Sequence, residues 1–63
     1  MKRLIELAGG VYKGVQKDVN GNRYALIHDQ MTGSTLMLPE HGITAKKVRA
    51  KLAFSRERFV ANG

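Results

Sequence analysis

The chain has 63 residues, enough for one domain, and folding at that length buries only about 60% of the unfolded surface, so its stability is marginal. It has no cysteine, which excludes a disulfide or a thiolate metal site as a prop, and no apolar run near the roughly 20 residues of a membrane-spanning helix. Eleven Lys and Arg against five Asp and Glu give a formal charge of +6, a field that attracts polyanions.

The sign of that charge points first to nucleic acid, DNA or RNA, and second to an acidic protein surface. Plain solubility is the bland alternative. The lack of cysteine fits a cytoplasmic protein. The apolar part of MKRLIELAGG is too short for a signal peptide, so a cytoplasmic chain is expected.

Taken in order, Met1 to Ala8 reads as a turn or two of helix. Leu4, Ile5, Leu7 and Ala8 cluster on one side, and Gly9-Gly10 would end it. A strand leading into Val11 is the alternative. Val11 to Val19 is a strand of imperfect alternation. Val11, Lys13, Val15, Lys17 and Val19 share one parity; Tyr12, Gly14, Gln16 and Asp18 share the other. Such a strand belongs at an edge, bulged at Gly14.

Asn20-Gly21 is a strong hairpin signal, because a two-residue type I′ turn needs positive φ at both positions. Arg23 to Asp29 follows as a central strand with apolar residues on both faces: Tyr24, Leu26 and His28 on one, Ala25 and Ile27 on the other. Met31-Thr32-Gly33-Ser34 is the next turn, with Gly33 free to go left-handed. Ser34 to Leu38 is the third strand, stopped by Pro39.

Thr44 is a good N-cap for the segment that follows. From Ala45 the spacing is helical, with Ala45, Val48, Leu52 and Phe59 on one stripe and Lys47, Lys51 and Arg58 nearly opposite. Arg49 and Arg56 flank the apolar stripe. Phe54 would fall among the basic residues, which argues for a break. Ser55 could cap a second short helix, with Phe54 and Phe59 as its hydrophobic staple.

The fold expected is therefore α+β: a three-stranded antiparallel meander, about 11–19, 23–29 and 34–38. A helix over about 45–53, kinked and continuing over 56–60, packs on one face. The expected core is Val15, Leu26, Leu36, Leu38, Val48, Leu52 and Phe59, with Tyr24 partly buried. Met37 and Ile27 would lie on the free sheet face.

The chemistry available is thin. His28 and Asp29 are neighbours on a strand and point to opposite faces, so they make no ready acid–base pair. Two histidines without ligand spacing do not make a metal site, and there is no phosphate-binding glycine loop. Catalytic residues, metal ligands and cofactor are all expected to be none. The basic set remains: Lys46, Lys47, Lys51 and Arg58 on the helix, with Lys13, Lys17 and Arg23 on the first hairpin. His41 and Tyr12 are further candidates, the first for a phosphate and the second for stacking on a base. The bland readings are a solvated helix face, a loop histidine and a packed tyrosine.

From KRLIELAGG through the strand ending at His28, the glycine turn, TLMLPEHG and the basic helix to FSRERF, the order resembles HicA-type toxins. These are small basic RNases with a double-stranded-RNA-binding-like fold. The resemblance implies that fold and an RNA-binding scaffold. It departs at Asn20-Gly21-Asn22-Arg23, where that family carries its catalytic histidine beside a Gly-Ser pair, so cleavage does not carry over. Three strands and a helix also look like the arm-binding domains of tyrosine integrases, which read DNA through the sheet. The reading is a non-enzymatic nucleic-acid-binding domain. The alternatives are an inhibitor or adaptor of the mobile-element type on an acidic protein surface, and a small metal-independent RNase using His28 or His41. A homodimer is compatible with each.

Overall fold

A computed structural model describes the backbone of residues 1–62 and the side chains of residues 1–59. The elements are α1 (Lys2–Leu7), β1 (Val11–Lys17), β2 (Arg23–Asp29), β3 (Ser34–Pro39) and α2 (Ala45–Asn62). The strands form one antiparallel sheet in the order β1-β2-β3. The α+β meander with a C-terminal helix is thus the observed fold. Among the described residues, no helix is long and apolar enough to cross a membrane.

The N-terminal segment is helical, and Gly9-Gly10 ends it in a Schellman motif. The Gly9 N–H donates to the Glu6 carbonyl, the Gly10 N–H donates to the Ile5 carbonyl, and Gly9 takes φ +97°. Gly10 is buried for a different reason. A Cβ there would lie 2.6 Å from Ile27 Cγ2 and 3.3 Å from Ile5 Cγ2. Gly10→Ala should therefore cost about 1–3 kcal/mol, read from the urea midpoint. An unchanged midpoint would mean that the turn does not approach β2 this closely.

Both helices lie on the same face of the sheet, α1 against β1 and α2 against β3, touching each other. They cover the Ala25, Ile27 and Asp29 side of β2. Ile5, Ala25, Ile27, Val48 and Leu52 form the buried core, with Tyr12, Leu36, Leu38 and Ile43 packed around it. The expected core is corrected in three places. Leu26 is on the uncovered face with Met37, Val15 is only half-buried, and Phe59 is 55% exposed. Ile27, expected on the free face, is fully buried.

The bulge explains part of this. β1 slips register between Tyr12 and Gly14, leaving Lys13 as the extra residue, with Gly14 at φ +117°. The slip puts Tyr12, opposite Ile27, and Val15, opposite Ala25, on the same face, although the two differ in parity. Gly14 and Gln16 go to the uncovered face with their partners Leu26 and Tyr24.

The first turn is longer than the two-residue type expected. β1 ends at Lys17, opposite Arg23, and among the described residues none other than glycine has positive φ, so Asn20 is not in a type I′ turn. Asp18 organises the connection instead. Its carboxylate accepts from the Asn20 N–H, the Asn22 N–H and the Asn22 amide at 2.9–3.0 Å. Those donors hold Asp18 below the usual carboxylate range, the Asn22 amide contributing most. The second turn is as read, with Gly33 at φ +75° donating to the Asp29 carbonyl.

α2 is one uninterrupted helix, so no second helix starts at Ser55. No Gly or Pro interrupts the segment after Thr44, and Phe54 is left on the outside, 55% exposed. Thr44 caps its start: Oγ1 accepts from the Lys47 N–H at 3.1 Å, and its carbonyl accepts from the Val48 N–H.

Candidate nucleic-acid interface

The cap at Thr44 sets the rotation of α2. With Val48 and Leu52 turned into the core, the 3.6-residue period carries Lys47, Lys51, Phe54 and Arg58 along the outer side. Lys46 and Arg49 lie further round the helix, Arg49 half a turn from Arg58, and all six are exposed. The Arg58 guanidinium lies over the Phe54 ring, 5.6 Å from its centroid, which holds the charge in line with the row.

The expected residues differ in how free they are. Lys46 and Lys51 have no described carboxylate within salt-bridge distance. Lys47 is exposed, but its ammonium donates to the Gly42 carbonyl at 2.9 Å and so braces the loop before the helix. Lys13 stands on the bulge and Lys17 at the end of β1, both exposed. Arg23 is committed elsewhere. It forks onto the Glu40 carboxylate, with Nε donating at 2.9 Å and Nη2 at 3.3 Å. This pair raises Arg23 above its ordinary value and draws Glu40 below its own. The first hairpin therefore presents two free cations, not three.

Tyr12 is half-buried and packs against the core. Tyr24 is on the uncovered face, with its hydroxyl donating to Asp18 at 3.3 Å. His41 is exposed in the connector between β3 and α2. His28 is half-buried on the uncovered face, while Asp29 points to the opposite, covered face, so the two cannot share a proton. Among the described residues, no three of His, Cys, Asp and Glu converge as metal ligands would.

Sequence reasoning missed the best-built polar site. Asp29 is fully buried, and Arg56 reaches it from α2, Nη2 donating at 3.1 Å and Nε at 3.3 Å. The Met31 N–H and the Thr32 hydroxyl donate to the same carboxylate. No buried side-chain polar atom of the described residues lacks a partner, so this cluster is closed and structural. Its only sequence signal was a charged residue ending an apolar strand.

Comparison with family models, curated proteins and solved structures yields no significant match. The functional reading rests on the chain itself.

Proposed function

We propose that the protein binds nucleic acid, without cleaving it, through the outer side of α2. One observation carries this reading: Lys47, Lys51 and Arg58 line one exposed side of a continuous helix whose other side is fixed to the sheet, with Lys46 further round it. A rigid row of cations of this kind follows a phosphate backbone and releases its counterions on binding. Lys13 and Lys17 add to the field from the sheet edge. The likeness to HicA-type proteins supports a binding scaffold and nothing further.

The test is a salt titration of binding to labelled duplex DNA, single-stranded DNA and structured RNA. Lys51→Glu combined with Arg58→Glu is the variant to compare. Lys47 is a poorer choice, because its reversal also breaks the bond to Gly42. The double reversal should weaken binding to every sequence and lower the slope of log K against log salt by about 1 per residue. Affinity unchanged by the reversal would sink the proposal.

A second reading has its own observation. The uncovered sheet face carries Leu26, Met37 and Val11 and none of the free cations of α2, so it suits a protein contact better than a phosphate. Weak binding, equal for all three nucleic acids, would favour it.

A further inference from the structure

We propose that the free edge of β3 takes an extended acidic segment of a partner polypeptide as one more strand of the sheet, with Arg58 of α2 holding its carboxylates.

The two edges of the sheet are built differently. On the β1 edge the ladder is broken at Lys13, and Lys13 and Lys17 stand on it, exposed. A bulge and lysines are the usual guards against a further strand. β3 has neither. Its sequence STLMLP holds no charged residue, and its register with β2 is unbroken from Tyr24 opposite Pro39 to Asp29 opposite Ser34. A regular, uncharged edge is a template for another strand.

The alternation of the ladder says which groups are free. The Glu40 N–H donates to the Arg23 carbonyl, so Ala25–Leu38 and Ile27–Leu36 are the bonded pairs that follow. The main-chain groups of Thr35 and Met37 then face outwards. Pro39, the next outward position, has no N–H and closes the row. A nucleic acid has no alternating N–H and C=O groups to match this row, so the occupant is a polypeptide.

Charge selects its chemistry. A groove of about 410 Å³ between β3 and α2 is lined by Ser34, Thr35, Leu36, Ser55, Arg58 and Phe59, so a cation stands beside the edge. The helical period puts Lys47 and Lys51 within about 20° of Arg58, and the basic row therefore runs on along the same side of α2. The carboxylates at the two ends of β3 are already paired, Glu40 with Arg23 and Asp29 with Arg56. A chain of +6 with Arg58 at this groove repels a second copy or a basic segment and attracts an acidic one. Side chains of an extended segment alternate between faces. Every second one falls on the α2 side, level with Leu36, where a carboxylate meets Arg58. The others lie beside Thr35 and Met37 on the uncovered face.

This pairing does not rest on nucleic-acid binding. The two share Arg58, but only a polypeptide bonds the main chain of Thr35 and Met37. The experiment titrates the full chain, without nucleic acid, with a short capped peptide of alternating Thr and Glu, followed by amide NMR. The Thr35 and Met37 N–H resonances should move most, and their hydrogen exchange should slow. The same peptide with Lys in place of Glu should leave them unmoved. In an added strand, alternate N–H groups face β3 and the rest face water. Methylating the nitrogens of one residue type should therefore abolish binding, and methylating those of the other should leave it. Arg58→Glu should weaken the Glu peptide about tenfold at low salt, and Lys51→Glu repeats the test if that variant does not fold. Shifts confined to α2, or binding that survives both methylations, would show carboxylates meeting cations without strand pairing and overturn the proposal. Equal binding of the Lys peptide overturns it too. Exchange at Thr35 and Met37 that slows with protein concentration alone gives the edge to a second copy, and the proposal falls.

Discussion

Arg56→Ala is expected to cost about 3 kcal/mol of folding stability, because it strands the Asp29 carboxylate in the core. Breaking a buried pair from one side costs about 3–5 kcal/mol, and the lower end applies here because 35% of the Arg56 side chain is still in water. The total stability of a domain this size is only about 3–9 kcal/mol, so the variant sits at the edge of unfolding. Asp29 also sets a pH dependence. Burial pushes its carboxyl up, but Arg56, the Met31 N–H and the Thr32 hydroxyl together outweigh that and bring it below the usual 3.8. A carboxyl lowered by folding contributes fully above its unfolded value, and the contribution is lost as pH falls through the folded one. Wild type should therefore lose stability below about pH 4, and Asp29→Asn should flatten that limb. Urea midpoints from neutral to acid pH measure both effects. Coincident acid limbs for wild type and Asp29→Asn would show that this contact does not tie the second turn to α2.

The parts of the fold that were legible had local causes. Thr44 before a helical spacing, Gly33 in a tight turn and Gly14 in a strand each declare a backbone geometry within a few residues. The row of Lys51 and Arg58 was legible for the same reason, since helical spacing alone places them together. What could not be read depended on residues far apart in the chain. Arg23 looks like a free cation until Glu40 is folded beside it, and Arg56 looks like a flanking charge until Asp29 is beneath it. Phe54 suggested a break because an exposed aromatic is costly. The structure accepts that exposure and sets Arg58 over the ring, keeping the helix whole. The faces of β2 were the hardest case, because Leu26 and Ile27 are equally good core residues. Periodicity cannot choose between them.

The choice between those faces gives the last prediction. Ile27→Ala should cost about 4 kcal/mol, whereas Leu26→Ala should cost about 1 kcal/mol or less. Ile27 is fully buried between Tyr12 and Leu36 on the neighbouring strands, under Ile5, Val48 and Leu52, and Gly10 lacks a side chain where Ile27 needs the space. Leu26 has Gly14 on one side and the exposed Met37 on the other, so truncating it removes little contact and leaves no closed cavity. At about 4–8 °C per kcal/mol, the melting temperature should fall by roughly 15–30 °C for the first variant and only a few degrees for the second. The reverse order would mean that the helices cover the other face. Ile27 and Asp29 share a face, so Arg56 could not then reach Asp29, and the ion-pair prediction would fail with this one. The two experiments therefore test a single register of β2 against α2 from two kinds of chemistry, one apolar and one charged.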